Sequence, residues 1–382
     1  MSGVVKGDVL TSSRSTSGGI DGIVSSADAT AITIGSDESV TFSGDLVPST
    51  PLSNRNHLIN GDFQVAQRGT SFVASANNDY TYNLDRWYLL SDTNDVVDVT
   101  QSSTAPTNQL YSIGLDVETV NKKFGIAQII EQKNCVGLIG NAVTFSFKAK
   151  VSATTKLDNV KAGIIAWSST ADEVTSDVVS AWAVEGTNPT LASNLTFENT
   201  PANLSVTTSW ATYSVSANID TSSTTNVIVF IWSDVTDTTA GDFLYITDCQ
   251  LEQGSNATPY ERRSYGEELI RCQRYFYRFI NGTDQFIGMG SYLWSGQLEI
   301  PVSFPTTMRQ NATLAFVTVS QGYTARNEDE GVDTFSAFAG LSGAGNNTVM
   351  IYASSDVGGT VGQSVRVYTT ETSCSISFLA EL

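Results

Sequence analysis

One histidine, His57, occurs in 382 residues, and that scarcity excludes a good deal. His57 lies in a linker, so neither a Ser-His-Asp arrangement nor a histidine-based metal site is supported. There is no G-x-S-x-G stretch and no Gly-Lys-Ser/Thr phosphate cradle. Cysteine is also sparse: Cys135, Cys249, Cys272 and Cys374 lie far apart, with no C-x-x-C pair. Such spacing reads as isolated buried thiols in a protein assembled under reducing conditions, with two disulfides as the alternative. No run of about 18 apolar residues exists, so membrane insertion is not expected. The opening MSGVVKGDVL lacks the apolar stretch of a secretory signal, so conventional export is not expected either. Positive charge is in short supply. Twenty basic against 39 acidic residues give a formal net charge of −19, which repels phosphate backbones and argues against nucleic-acid binding.

One enzyme class stays open. Glycoside hydrolysis needs only two placed carboxylates, so a polysaccharide depolymerase remains compatible with 39 acidic residues. The acidic run NEDEGVD, residues 327–333, lacks the spaced ligands of an EF-hand and reads as a solvated charge run.

What is abundant is Thr, Ser, Val, Asn and Gly, which favours pleated sheet and turns over helix. Residues 1–55 stand apart: 25 of them are Ser, Thr or Gly, and Phe42 is the only aromatic. Such a stretch cannot bury enough apolar surface to offset ordering its own backbone. Within it, TAITIGSDESVTF alternates, with Ile32 and Ile34 matching Val40 and Phe42 across a Gly-Ser-Asp turn. Either this is a flexible tail, or its strands gain a core by packing on copies of themselves or on a partner. PSTPLSN (48–54) reads as a linker.

Residues 56–263 show short strands with frequent turn signals and no convincing helix, the pattern of a two-sheet sandwich. AVTFSFKAKV points Val143, Phe145 and Phe147 inward, and NVIVFIWSD is apolar on both faces, as a central strand should be. A helix is expected over 264–280, capped by Ser264, with Leu269, Cys272, Phe276 and Phe279 forming one stripe. Five of the twelve arginines fall between Arg262 and Arg278. Residues 281–382 return to strands separated by Gly-rich loops, a second and smaller β domain.

Three stretches carry a resemblance. LINGDFQVAQRG (58–69), followed by LDRWYL (84–89), resembles the opening of jelly-roll domains in phage tail-fibre and other virion proteins. YITDCQLEQGSNATPYERRSYGEELIRCQRYFYR (245–278) is similar to the close of that domain and its junction with a distal tip. VSFPTTMRQNATL (302–314) and the terminal FLAEL resemble the tip itself, and the 30–44 segment is similar to strand pairs in the stems of such fibres.

The resemblance implies an all-β homotrimer. Its parts are a stem and attachment segment at 1–55, a carbohydrate-module-like jelly roll at 56–263, a connecting helix at 264–280 and a β-sandwich tip at 281–382. It implies adhesion to a host-surface glycan from a phage tail or other virion fibre, made in the host cytoplasm, with residues 1–55 meeting other tail or neck proteins. A purely structural head or neck fibre and the depolymerase are the alternatives. Arg262, Arg263, Arg271, Arg274 and Phe276 would lie at the three-fold junction, the arginines neutralising acidic faces of adjacent subunits or else solvating the helix. In related modules an early and a late acidic residue share a structural calcium, here Asp62 and Asp248, with Gln64 where a carboxylate is common. Sugar stacking would fall to Trp167 and Trp182 in the jelly roll, or to Tyr292, Trp294 and Tyr323 in the tip. Trp87 and Trp232 read as core.

Overall fold

Alternating strands pave an open sheet face, whereas strands that are apolar on both sides mark a covered one, and this chain uses both patterns. The computed structural model describes residues 32–34, 40–42, 54–73, 82–175, 177–327, 331–343 and 345–382. The chain divides into two units, Met1–Val47 and Pro48–Leu382, so the break falls slightly before the expected boundary at residue 55. The first unit contains an antiparallel hairpin, β1 (Ile32–Ile34) and β2 (Val40–Phe42). Ile32 lies opposite Phe42 and Ile34 opposite Val40, the register the alternation predicts. Residues 1–31, the turn at 35–37 and the linker at 48–53 lie outside the described residues.

In the second unit the strands run β3 (Ser71–Phe72), β4 (Tyr88–Ser91), β5 (Val97–Ser102), β6 (Ser112–Val117) and β7 (Phe124–Ile130). A single turn, α1 (Gln132–Cys135), leads to β8 (Ala142–Val151), β9 (Val160–Trp167), β10 (Val179–Ala181), β11 (Thr190–Leu191) and β12 (Leu195–Phe197). Then follow β13 (Ala211–Asn218), β14 (Asn226–Ser233) and β15 (Phe243–Gln253). Two sheets, ordered β13-β8-β15-β6-β5-β3 and β12-β9-β14-β7-β4, face each other in a jelly-roll β-sandwich. Val143, Phe145 and Phe147 of β8 enter the core between them, as do Trp87, Phe124 and Leu251. Strand β14 is buried along its whole length because β7 and β9 flank it and both its faces are covered. Trp87 and Trp232 are fully buried, and the four cysteines are free and buried.

The expected helix over 264–280 is shorter. Helix α2 (Tyr265–Gln273) starts where predicted, the Ser264 Oγ accepting from the Glu267 N–H at 3.3 Å, but ends seven residues early. Phe276–Asn281 is instead strand β16, paired with β25 (Ser375–Leu379). Aromatic residues spaced three and four apart fit a helical stripe, yet FYRFI is also a strand-favouring run, and a ladder partner nearly 100 residues away decides. Between them come β17 (Phe286–Trp294), β18 (Gln297–Ser303), β19 (Thr313–Phe316), β20 (Tyr323–Arg326), β21 (Val332–Phe335), β22 (Gly340–Ser342), β23 (Thr348–Ala353) and β24 (Ser364–Thr369). Sheets β16-β25-β19 and β21-β20-β24-β17-β18-β23-β22 enclose a second core containing Ile300, Tyr323, Phe335, Ile351 and Phe378.

The Arg-dense stretch holds these pieces together. The Glu261 carboxylate accepts the backbone N–H groups of Asn54, Arg55 and Asn56 at 2.6, 2.8 and 2.7 Å. Arg263 is buried, donating to the Leu58 carbonyl at 2.9 Å, to the Asn56 carbonyl and to Glu268. Arg274 makes a two-pronged pair with Glu131, at 2.7 and 3.1 Å. Burial works against charge on Glu131, but Arg274, Lys133 and the Tyr275 hydroxyl together hold its pKa below the ordinary value. Glu381 receives both Arg68, at 2.7 Å, and Arg86. Arg68 lies 3.7 Å over the Phe276 ring, and Arg86 lies 3.7 Å over that of Tyr275. Of the five residues expected at a subunit junction, Arg263 and Phe276 are therefore buried within their own chain and Arg274 is engaged by Glu131. Arg262 is exposed and donates to the Asn108 carbonyl, while Arg271 pairs with Glu267 on the helix surface at 3.0 Å.

Removing one partner of a dry ion pair strands the other. Glu381→Ala is expected to lower the unfolding free energy by about 3–5 kcal/mol in chemical denaturation, because Arg86 keeps its charge without a partner. Glu267→Ala, at the exposed pair with Arg271, is expected to change it by less than about 1 kcal/mol. Equal effects would mean that the two pairs share one environment.

Candidate functional site

The two faces of the jelly roll are treated differently. Outside the five-stranded sheet, Tyr88, Ile129, Ile165, Phe230 and Trp232 are covered by Val174, Val178, Trp182 and Leu191, and by Tyr275 and Leu382. On the six-stranded sheet, edge strand β13 alternates half-buried with exposed residues, and Phe243 and Tyr245 of β15 are half-buried where Leu244 and Ile246 are buried. That second face is open, and it carries a row of aromatic rings.

Strand β15 generates the row. Leu244 and Ile246 point into the core, so Phe243 and Tyr245 must point out. Their rings stack at 5.1 Å with only 3° between planes. Trp210, just before β13, sits 6.5 Å from Tyr245. The Lys150 ammonium, opposite Tyr245 on β8, lies 5.4 Å from the tyrosine ring and 6.0 Å from the indole. On the other flank Tyr245 faces Gly114, and Gly114 faces Thr100. A Cβ at Gly114 would stand 2.9 Å from the Thr100 Oγ1 and 3.3 Å from the Tyr245 ring, so glycine lets the phenol lie down on the sheet. Burial raises the Tyr245 pKa, a hydrogen bond with Thr104 opposing.

Beside the rings, Asp116 faces Phe243 on one strand and Asp98 on the other. The Asp116 Oδ1 is buried with no hydrogen-bond partner among the described residues. Its pKa is raised by desolvation and then by Glu118 and Asp98. Rings, an ammonium, hydroxyls and an under-used carboxylate on one flat surface suit a polyhydroxylated ligand with C–H faces.

The sequence-nominated residues fare unevenly. Trp167 is buried and donates its indole N–H to the Thr170 carbonyl at 2.8 Å, a core role. Trp182 is half-buried, 6.1 Å from Phe230 on the covered face. In the second sandwich Tyr323 is buried, its hydroxyl donating to the Val317 carbonyl at 2.7 Å. Tyr292 is also buried, its hydroxyl donating to Asp333 at 2.9 Å, and its ring occupies the space a side chain at Gly359 would need. Trp294 is 63 % exposed at the end of β17 and remains available to a ligand. Sequence reasoning passed over Trp210, Phe243 and Tyr245. The signal for the last two was present, since an apolar residue on each side of Tyr245 forces the phenol outward.

No protein-family model matches the chain, and no curated protein matches it. Among solved structures it is similar to the enzymatically active domain of bacteriophage CBA120 tailspike protein 4, at 16% identity, over 52% of this chain and 21% of that chain, with a TM-score of 0.30. It is similar to TmCBM61 in complex with β-1,4-galactotriose, at 15% identity, over 52% of this chain and 99% of that chain, with a TM-score of 0.28. A third likeness is to the CBM22-1–GH10 modules of the Clostridium thermocellum endo-1,4-β-D-xylanase 10B, at 12% identity, over 53% and 29% of the two chains, with a TM-score of 0.32. The chain thus spans about a fifth of the tailspike chain's length.

The two residues expected to share a calcium, Asp62 and Asp248, are set on neighbouring segments. Gly61 accepts the Cys249 N–H at 2.9 Å, which sets Asp62 beside the bulge in β15 where Asp248 takes a left-handed φ of 54°. A Cβ at Gly61 would meet the Cys249 carbonyl at 2.1 Å, so that approach requires glycine. The Asp248 carboxylate, however, already holds the Lys148 ammonium at 2.8 Å and accepts from Gln109. Asp248 is thus neutralised by a lysine of its own sheet, and among the described residues no group of three or more His, Cys, Asp or Glu could hold a metal. Asp62 is left with an unpartnered Oδ1, and burial, then Glu268, pushes its pKa up to about 6.

The sign of that shift is testable. From the model value of 3.8 to about 6, the folded chain binds a proton that the unfolded chain has released, so stability falls as pH rises through that window. Above pH 6 the penalty is fully present. Asp62→Asn is expected to stabilise the protein at pH 7 by up to about 3 kcal/mol and to flatten the slope between about pH 4 and pH 6. Adding calcium or a chelator is expected to leave the melting temperature unchanged. A calcium-dependent rise in the native chain that Asp62→Asn removes would restore the metal reading.

Proposed function

We propose that the chain is a non-enzymatic adhesin, a fibre subunit of a virion that captures a glycan on the host surface. The observation that carries this reading is the outward row of Trp210, Tyr245 and Phe243 on the open sheet of the jelly roll, with Lys150 and Asp116 beside it. Aromatic faces stack on the C–H faces of pyranose rings, while the ammonium, Thr100, Thr104 and Asp116 hydrogen-bond to hydroxyls. The fibre assignment draws its support from the sequence resemblance of residues 58–69, 84–89, 245–278 and 302–314. In this reading residues 1–55 attach the chain to other tail or neck proteins, and three chains assemble on one axis. Three weak sites on one particle raise effective concentration, so capture does not require tight single-site affinity.

One observation favours a second reading, the depolymerase. Asp98 and Asp116 are directly opposed across β5 and β6, next to the aromatic row. Opposed side chains on antiparallel strands lie roughly 5 Å apart, within the range of paired glycosidase carboxylates. The raised pKa of Asp116 suits an acid.

Binding and cleavage separate the readings. On an array of neutral oligosaccharides and on intact host cells, Tyr245→Ala and Trp210→Ala are each expected to weaken single-site binding roughly three- to tenfold. Ser214→Ala, on the same sheet but remote from the rings, is expected to change nothing. A glycan that binds both aromatic variants as well as the native chain would remove the site. Release of reducing ends from host polysaccharide, abolished by Asp116→Asn, would replace the adhesin with the depolymerase. Sedimentation as a monomer, or antibody labelling confined to the capsid, would remove the trimeric tail fibre.

A further inference from the structure

The seven-stranded sheet of the second sandwich also has an outward face, and its side chains form an arrangement that no ion pair among the described residues uses. Arg326 on β20 and Arg366 on β24 stand directly opposite each other, both exposed. The same row continues to Val332 on β21 and to Met289 on β17. Two residues along β24 and therefore on the same face, the Tyr368 ring lies 5.3 Å from that of Phe286 and 6.0 Å from the Arg326 guanidinium. Phe286, Met289 and Val332 are 52, 51 and 60 % exposed.

Like charges directly opposite across an antiparallel pair are destabilising. Among the described residues, neither guanidinium has an ion-pair partner, whereas Arg68, Arg86, Arg263, Arg271 and Arg274 are all matched to carboxylates. In a chain of formal charge −19, two arginines side by side and unmatched among the described residues complement an anion from outside. General repulsion from the acidic surface is screened beyond about 8 Å at physiological salt, so the local pair governs contact. The neighbouring rings and the thioether suit a ligand with C–H faces. The row crosses three interstrand gaps, roughly 14 Å, the reach of a short oligosaccharide rather than of a lone ion.

We propose that this face binds an anionic saccharide, its carboxylate or phosphate taken by the Arg326 and Arg366 guanidiniums and its ring faces stacked on Tyr368 and Phe286. Guanidinium forks match either anion with paired hydrogen bonds. The inference rests on the glycan-adhesion reading for its ligand class, but it uses a different sheet in a different sandwich, so either site can fail alone.

The full-length chain is titrated calorimetrically with an oligogalacturonate, a phosphorylated oligomannose and a neutral galacto-oligosaccharide of equal length. At least one anionic ligand is expected to bind, more weakly as salt is added. Arg326→Gln/Arg366→Gln is expected to lower that affinity at least about tenfold, the loss of charged hydrogen bonds. Phe286→Ala is expected to weaken it less, and Tyr245→Ala to leave it unchanged. Binding of the carboxylated ligand alone marks a uronic acid, and of the phosphorylated one alone a sugar phosphate. The proposal fails if neither anionic ligand binds, if the double variant binds like the native chain, or if Tyr245→Ala abolishes binding. Should no saccharide bind while the double variant sediments as a smaller species, the face belongs to a second copy of the chain. Should no saccharide bind while Glu328→Gln/Asp329→Asn/Glu330→Gln lowers stability, the arginines serve the chain's own acidic run. Both outcomes overturn it. Melting curves of each variant confirm folding.

Discussion

Arg86 carries a full charge into a place that excludes water, and the rest of the second unit is arranged around making that tolerable. Its guanidinium is sandwiched against the Tyr275 ring, donates to the Ile129 carbonyl at 2.7 Å, and meets Glu381. Burial disfavours the charged form, but Glu381 and the two neighbouring phenols, those of Tyr275 and Tyr82, raise the pKa above its ordinary value. Arg68 shares the same carboxylate, and Arg274 repeats the arrangement with Glu131 beside the same Tyr275 ring. Buried pairs of this kind add little net stability compared with apolar packing, yet they penalise every alternative arrangement that separates the partners. Here they fix how one sandwich meets the other. That contact, with Tyr275 and Leu382 packed beneath it, helps cover the five-stranded sheet and leaves the six-stranded one open. The location of the candidate glycan surface is in this sense a consequence of the ion pairs.

Much of the architecture was legible because local pattern and tertiary role agree. Alternation in β8 and the doubly apolar β14 identified a two-sheet sandwich, and the register of the β1–β2 hairpin followed from its two apolar pairs. Legibility failed where a residue's meaning depends on a remote partner. The stretch after Gln273 satisfies a helical spacing and a strand composition together, and only the ladder with Ser375–Leu379 chooses. Tyr292 and Tyr323 lie near glycine-rich loops, which suggested ligand contact. Their hydroxyls instead satisfy Asp333 and the Val317 carbonyl inside the fold. The arginines of 262–278 looked like intersubunit charges because their partners, Glu131, Glu268 and the carbonyls of Asn56 and Leu58, are scattered along the chain.

The acidic pair Asp62 and Asp248 illustrates a different limit. The Gly61–Cys249 hydrogen bond holds their two segments side by side. Lys148, reaching from β8, supplies a positive charge to Asp248 at the bulge in β15. The site residues that did emerge, Tyr245 and Phe243, belong to that same strand, two and four residues before the bulge at Thr247.

The separation of Glu381 from Arg86 has a consequence for how the protein is made. All strands of the jelly roll have been synthesised once Gln253 is complete, and their pairings involve no later residue. Arg86 nonetheless waits for a counter-charge 295 residues downstream. Until Glu381 and Leu382 have been made, a sandwich complete in its own strand pairings lacks the counter-charge for that guanidinium and part of the cover on its five-stranded sheet. Such a chain is open to unwanted association for that interval, which residues 381 and 382 bring to a close.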